Sequence, residues 1–276
     1  MPTKDLRLRE GARALLAIMA AAALAGALGG CAGMRQAESS AALAQPSIGG
    51  PAGEEEWRRE AQAWGERYNA NASDPQVAIH YAQALRQSGQ RAQAVAVLEQ
   101  ASLKSPKNME LLGAYGRALA EAGDYQQALD VLSRAHVPER PDWRILSAQG
   151  AVLDQMGRHA DAQRYYETAL KIIPDEPTVL SNLGLSYALS KDLPRAEATL
   201  KRAARGDHVD PRVRQNLALV VGLQGRFAEA ETIAGADLPP EEASANVAYL
   251  REMLAHQSDA QRSDPTRRAS DTSRRG

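Results

Sequence analysis

Residues 177–204 read PTVLSNLGLSYALSKDLPRAEATLKRAA, and the spacing pattern of this stretch recurs along the chain. Lys191 shares a column, at intervals of 34 residues, with four glycines: Gly89, Gly123, Gly157 and Gly225. Five residues further on, the same interval meets only alanine, at Ala94, Ala128, Ala162, Ala196 and Ala230. A constant phase of this kind indicates one supersecondary unit that is repeated about five times.

A third column holds only small residues, which would let the two helices of one unit approach closely: Ala82, Gly116, Gly150, Gly184 and Ala218. Near the end of each unit, where a second helix would pack on the next unit, alanine recurs at Ala101, Ala135, Ala169 and Ala203. Asp237 breaks this column in the fifth unit. The period of 34 residues is that of the tetratricopeptide repeat, a pair of antiparallel helices.

The spacing therefore predicts an all-α fold, a right-handed α-solenoid of about five tetratricopeptide repeats. We expect this domain to cover residues 54–256, with an N-terminal helix before the first repeat and a C-terminal capping helix after the last. A generic alanine-rich helical bundle is the alternative. Such a bundle has no reason to keep a constant phase of 34 residues.

Composition agrees with a helical scaffold and excludes one class of partner. Hydrophobic residues make up 44% of the 276 residues but aromatic residues only 4%, so the core must consist of small and aliphatic side chains. The net charge is −1, and the helical region has no dense block of Lys and Arg interleaved with aromatic residues. Nucleic acid is therefore not an expected partner.

Residues 1–30 have the features of a lipoprotein signal peptide. Four basic residues, Lys4, Arg7, Arg9 and Arg13, precede an apolar run over residues 14–28. This run is shorter than the ~20 residues that a membrane-spanning helix needs. It leads into Leu28-Gly29-Gly30-Cys31, which resembles the bacterial lipobox, and Cys31 is the only cysteine of the chain. Cys31 could be an incidental thiol, but its position directly after the apolar run favours lipidation.

The segments that flank the repeat region have the composition of unfolded chain. Residues 31–53 consist of the lipidated cysteine and a stretch rich in Ala, Gly, Ser, Gln and Pro, which is typical of a flexible tether. Residues 257–276 show no apolar periodicity and are predicted to be a disordered tail. Residue 32 is Ala rather than Asp, and in lipoproteins that this segment resembles, such a residue permits sorting to the outer membrane.

The sequence offers no motif for catalysis or for a cofactor. The five histidines have no metal-ligand spacing, and no cysteine pairs with them. The folded region contains no P-loop, HExxH motif, nucleophile elbow or glycine-rich dinucleotide fingerprint. We therefore expect a protein that is not an enzyme and that uses neither a cofactor nor a metal.

A solenoid of this kind presents a concave groove lined by the first helix of each repeat. Counted from residues 75, 109, 143, 177 and 211, helix positions 2, 5, 6, 9 and 12 would lie on its inner side. Asn182 and Asn216 share position 6 in adjacent repeats and could bind the backbone of a peptide. Three arginines could add charge-assisted contacts, namely Arg117, Arg144 and Arg212. Alternatively, both asparagines bond only to neighbouring backbone or solvent.

Several stretches resemble one family in particular. They are Ala114-Tyr115-Gly116-Arg117-Ala118-Leu119, Pro141-Asp142-Trp143, Ser147-Ala148-Gln149-Gly150, residues 181–189 and residues 214–227. Over roughly residues 57–255 the chain is similar to TadD, the tetratricopeptide-repeat lipoprotein family of the Tad/Flp pilus assembly system. The resemblance implies a lipid-anchored outer-membrane protein that faces the periplasm. It also implies partners among pilus-assembly proteins, such as the secretin or its accessory factors, and a role in adherence and biofilm formation.

Other functions share the same features. A pilotin-like lipoprotein of type IV pili, or a scaffold for envelope hydrolases, would also combine an anchor with repeats. A peptidoglycan-processing enzyme is a third hypothesis, but the sequence has no recognisable active site for it. Only the stretches quoted above favour the Tad/Flp interpretation.

The lipobox-like segment predicts that Cys31→Ala removes the membrane anchor, because the acyl chains would have no acceptor. Fractionation of cells should find the parent chain with the membranes and the variant in the soluble fraction. Metabolic labelling with a radioactive fatty acid should mark only the parent. Equal partition of the two proteins, with no label on the parent, would contradict the prediction.

Overall fold

The computed structural model describes residues 51–206 and 209–263, and in these ranges it contains twelve α-helices and no β-strand. The helices are α1 (Pro51–Ala70), α2 (Pro75–Gln87), α3 (Arg91–Lys104), α4 (Met109–Ala122), α5 (Tyr125–Ser133), α6 (Trp143–Gln155), α7 (His159–Ile172), α8 (Pro177–Leu189), α9 (Leu193–Ala203), α10 (Pro211–Leu223), α11 (Phe227–Ala234) and α12 (Pro240–Ser263). The predicted all-α solenoid is confirmed. Among the described helices none is long and apolar enough to cross a membrane.

The first helix of every repeat begins on the 34-residue grid, at residues 75, 109, 143, 177 and 211. The preceding column consists of N-cap residues: Asp74, Asn108, Asp142, Glu176 and Asp210. All except Glu176 accept a hydrogen bond from a backbone N–H of the first turn. Such caps satisfy amide groups that have no partner within the helix. The N-cap residues therefore fix where each first helix begins, and with it the register of the repeats.

The turn inside each repeat needs a left-handed backbone conformation. Gly89, Gly123, Gly157 and Gly225 have φ values between 73° and 93° at this point. Lys191 occupies the same column in the fourth repeat with φ 67°. This conformation costs a residue with a Cβ atom ~1–2 kcal/mol, whereas glycine adopts it without that cost. Lys191 is therefore a strained member of an otherwise unstrained column.

The two helices of each repeat pack through the column of small residues. A Cβ atom at Gly184 would lie 2.6 Å from Leu200 Cγ, which is too close for any real pair of carbon atoms. The equivalent distances are 2.5 Å from Gly116 to Leu132 and 2.7 Å from Gly150 to Tyr166. The alanine column at residues 94, 128, 162, 196 and 230 is fully buried. Close approach at the small residues thus lets a core poor in aromatic side chains pack closely.

The stack of repeats is curved. The first helices contact one another in sequence, as α2 with α4, α4 with α6, α6 with α8 and α8 with α10. Within the described ranges the second helices make no comparable contact with one another. Since the first helices lie closer together than the second, they form the inner, concave layer.

Additional helices cover both ends of the stack. At the N-terminal end, the Trp64 ring of α1 stacks on His80 of α2, with the ring centroids 4.7 Å apart. At the other end, α12 packs on α10 and α11 and buries Ala243, Val247 and Leu250. These helices match the predicted N-terminal and capping helices. They extend past the predicted limits of the repeat domain, because α1 begins at Pro51 and α12 ends at Ser263.

Two features depart from the regular pattern. Among the second helices, α5 has only 9 residues and α11 only 8, whereas α3 and α7 have 14 each. Ala135 therefore lies after α5, although it remains buried. Asp237, which breaks the terminal alanine column, accepts a hydrogen bond of 2.5 Å from Arg214 Nε. This ion pair joins α10 to the segment before α12 and accounts for the exception.

A buried carboxylate links the third repeat to the fourth. Asp154 of α6 accepts hydrogen bonds from Tyr166 Oη at 3.1 Å and from Ser186 Oγ at 2.8 Å. His159 Nδ1 lies 2.8 Å from the same carboxylate. Burial and the neighbouring Asp154 raise the pKa of the Tyr166 phenol well above its usual value. The phenol therefore stays protonated and continues to donate its hydrogen bond to Asp154 at any physiological pH.

The strained turn predicts that Lys191→Gly stabilises the protein by about 0.5–1 kcal/mol. Relief of the left-handed strain exceeds the extra freedom that glycine adds to the unfolded chain. Gly157→Lys, the reciprocal change in the preceding repeat, should destabilise by about 1–2 kcal/mol. Urea unfolding followed by circular dichroism measures both. A loss of stability in Lys191→Gly would contradict this account of the turn.

Candidate protein-binding groove

The concave face is formed by particular positions of the first helices. Position 2 is solvent-exposed in every repeat: Gln76, Glu110, Arg144, Thr178 and Arg212. Position 9 is exposed or partly buried: Gln83, Arg117, Ala151, Leu185 and Leu219. Position 12, which the sequence also placed on the inner side, is instead buried in repeats three to five. Asp154 at this position belongs to the buried network of the third repeat, because position 12 faces the second helix rather than the groove.

In the first repeat, two groove positions contact neighbouring elements. The ring of His80, at position 6, stacks on Trp64 but remains exposed. At position 2, Gln76 Nε2 donates a hydrogen bond of 2.6 Å to Glu110 of the second repeat. Both side chains are exposed, so the groove extends over the first repeat.

Arg117 and Arg144, two of the predicted binding residues, lie in the wall of one cavity of about 520 Å³. The cavity opens between α4, the start of α6 and the connection that joins α5 to α6. Met109, Gly113 and Ile145 supply apolar surface, and Arg140 supplies a third guanidinium. His136 also lines this cavity, and its buried Nδ1 has no hydrogen-bond partner among the described residues.

Arg117 is partly buried without an ion pair among the described residues. No hydrogen bond or ion pair joins its guanidinium to any described residue. Burial, followed by the neighbouring charge of Arg86, lowers the pKa of Arg117. Arg144 rests on an aromatic face, with its Cζ 4.5 Å from the centroid of the Trp143 ring. The two guanidinium groups are therefore held in place with their hydrogen-bond donors largely unused.

Asn182 and Asn216 bond to serines of the preceding repeat. Asn216 Nδ2 donates to Ser181 Oγ at 3.0 Å, and Asn182 Nδ2 donates to Ser147 Oγ at 3.4 Å. Both serines are buried and both asparagines are partly buried. The side-chain oxygen of each asparagine has no partner among the described residues, so it remains available to a ligand N–H group.

The predicted binding residues thus fall into separate places rather than one site. Arg117 and Arg144 share the cavity, whereas Arg212 is exposed in the fifth repeat, with its Nε 3.6 Å from Asp210. Cys31 lies outside the described residues. Sequence reasoning missed His136 and Arg140, which lie in a segment without repeat periodicity. The prolines at 138 and 141 were the available signal, because they stop the helix that other repeats continue.

No group of three or more His, Cys, Asp or Glu side chains could hold a metal ion in the part of the chain that the structure describes. The side chains that face the groove are mainly amides, hydroxyls, guanidinium groups and apolar groups, together with the carboxylate of Glu110 and the imidazole of His80. The amides, hydroxyls and guanidinium groups bind polar backbone and anions through hydrogen bonds.

Residues 85–150 and 155–220 match the family described as tetratricopeptide repeat. The matched ranges begin and end inside the repeats that the structure shows. The chain contains tetratricopeptide repeats. A comparison with curated proteins finds no match to this sequence.

Solved structures of other tetratricopeptide-repeat proteins share the fold. The crystal structure of PilW, a widely conserved type IV pilus biogenesis factor, has 16% identity and a TM-score of 0.62, and the match covers 70% of this chain and 91% of PilW. The Cut9–Hcn1 hetero-tetramer of the APC/C has 14% identity and a TM-score of 0.60, over 74% of this chain and 40% of the other.

The asparagine–serine contacts predict a measurable coupling between repeats. In a double-mutant cycle, Asn216→Ala and Ser181→Ala should couple by about 0.5–1.5 kcal/mol, because each removes the same hydrogen bond. The longer contact between Asn182 and Ser147 should couple less. Denaturant unfolding of the single and double variants supplies both values. Coupling near zero in the first cycle would show that Asn216 does not hold the repeats together.

Proposed function

We propose that this chain is an outer-membrane lipoprotein that acts as a scaffold for assembly of the Tad/Flp pilus machine. Cys31 anchors it to the membrane, and the repeat domain faces the periplasm. The groove binds pilus-assembly proteins, with the secretin or its accessory factors as the expected partners. The protein catalyses no reaction in this role.

One observation carries the proposal: the first helices of five repeats form a continuous concave layer in a chain that begins with a lipobox-like signal. A surface of this kind suits an extended segment of another protein, because the segment can contact several repeats at once. The unused donors of Arg117 and Arg144 and the free amide oxygens of Asn182 and Asn216 lie along this layer. An anchor restricts such a scaffold to the membrane surface, where envelope machines assemble.

The pilus role in particular is supported by the sequence stretches that resemble the TadD family. The structural likeness to PilW supports the fold, and PilW is itself a type IV pilus biogenesis factor. That likeness also favours a second candidate function, a pilotin-like lipoprotein of type IV pili. The two functions differ in the machine that they serve.

Deletion of the gene in its native bacterium should abolish surface Flp pili and weaken adherence, while growth continues. Electron microscopy of the deletion strain measures pilus abundance, and expression of the parent chain should restore it. Flp pili at parental abundance would reject the Tad/Flp role. Loss of type IV pili instead would support the pilotin-like alternative.

Photocrosslinking can identify the partner and the face that binds it. A photoreactive amino acid at Ala151, which is exposed at position 9 of the third repeat, should capture a pilus-assembly protein from intact membranes. The matched control is Leu103, which is 71% exposed on the second helix of the first repeat. Equal capture from both positions would show that binding is not restricted to the groove.

A further inference from the structure

The cavity between the second and third repeats exists because the α5–α6 connection is irregular. Pro138 and Pro141 prevent a helix here, and the connection runs over residues 134–142. A short turn, in which the Arg140 amide donates to the Val137 carbonyl at 3.0 Å, holds the connection in place. His136 and Arg140 are thereby brought opposite the groove face of α4. The two connections with only four residues, 105–108 and 173–176, leave no room for such a feature.

The charged side chains that line this cavity differ in whether they already have a hydrogen-bond partner. Glu110 accepts the hydrogen bond of Gln76, and Asp142 Oδ1 accepts from the Arg144 amide at 2.8 Å, where it caps α6. Both carboxylates therefore already accept hydrogen bonds. Together with Glu121 they act on Arg117 only through their charge, because no hydrogen bond or ion pair joins its guanidinium to a described residue. Burial outweighs these charges and lowers the pKa of Arg117.

Comparable arginines elsewhere in the stack have a carboxylate. Arg86 pairs with Glu121, Arg214 with Asp237, and Arg226 with Glu197. A partly buried cation without a partner costs free energy, because it loses hydration and gains no ion pair. Among these partly buried arginines of the described residues, Arg117 is the one without a carboxylate in an ion pair.

We propose that the cavity binds a carboxylate from an extended segment of a partner protein, with Arg117 as the main contact and Arg144 and Arg140 at its mouth. This inference rests on the proposed role of the groove as a protein-binding surface. Guanidinium groups bind carboxylates through paired hydrogen bonds, and the desolvated donors of Arg117 strengthen such a contact. The apolar surface of Met109 and Ile145 suits the methylene groups that carry a carboxylate.

Fluorescence polarisation with the full-length chain in non-ionic detergent tests the proposal. The first probe is a fluorescein-labelled octapeptide amide that contains two glutamates. A second probe has glutamine at both places and an amidated end, and a third has the glutamines but a free C-terminal carboxylate. At least one carboxylate probe should bind more than tenfold tighter than the neutral probe. The better of the two shows whether a side chain or a chain end is the source.

Substitutions then locate the site. Arg117→Met should weaken the preferred probe about ten- to a hundredfold, the effect of one charge-assisted hydrogen-bonded pair. Arg144→Gln should also weaken it. Arg91→Gln is the control, since Arg91 is an exposed arginine on the second helix of the first repeat and lies outside the cavity. The proposal is overturned if no carboxylate probe binds better than the neutral one, or if Arg117→Met binds as the control does.

Thermal unfolding without a probe provides an independent readout. Methionine keeps most of the aliphatic volume of Arg117 and removes the unpaired charge, so the Tm of Arg117→Met should be equal to or above that of the parent. A Tm several degrees below that of the parent would mean that the guanidinium stabilises the fold, which would overturn the proposal.

The outcome is separable from that of the pilus role. If the probes bind as expected but crosslinking captures no pilus-assembly protein, the pilus role fails and the cavity assignment stands. If pilus-assembly proteins are captured but no probe distinguishes Arg117→Met from the parent, the role stands and the cavity assignment fails.

Discussion

Close contact between the two helices of each repeat is the constraint on which the rest of the structure depends. Gly184 faces Leu200 so closely that a methyl group at residue 184 has no space, and two other repeats show the same relation. This contact sets the distance between the inner and outer layers of the stack. Because the same spacing recurs in each repeat, every new repeat finds an equivalent surface on which to pack. This repeated close packing stabilises a solenoid that has few aromatic side chains.

Curvature follows from the same packing. The first helices contact one another directly, whereas the second helices diverge, so one face of the stack becomes a continuous groove. Small residues at positions 5 and 6 bring neighbouring first helices close together, as at Gly113, where a Cβ would lie 2.7 Å from Ile145 Cδ1. The groove is thus a consequence of how the core is packed. Packing leaves only a few side chains of the first helices exposed in it.

The cavity lies where the repeat pattern weakens. The shortened α5 and the irregular connection after it create the cavity around Arg117, and a regular repeat would fill that space with helix. Towards the C-terminus, the partly buried ion pairs of Arg214 and Arg226 hold the fifth repeat in place instead. Glu197 shows how strong one of these contacts is, since its hydrogen bonds with Arg226 and Lys201 lower its pKa to about 2. The arginines of these ion pairs join parts of the stack, whereas no ion pair joins Arg117 to a described residue.

The sequence by itself determined the repeat register, the starts of the first helices at residues 75, 109, 143, 177 and 211, and the turn column that contains Lys191. Each of these depends on local chemistry: a capping side chain, a glycine or a small residue, repeated at a constant interval. Tertiary structure alone decided that Arg117 meets His136 and Arg140 in one cavity, and that the asparagines bond to serines of the preceding repeat. These contacts involve either a segment without periodicity or the exact stacking of two repeats. Such contacts depend on how neighbouring helices are arranged in space, and no interval along the chain specifies that arrangement.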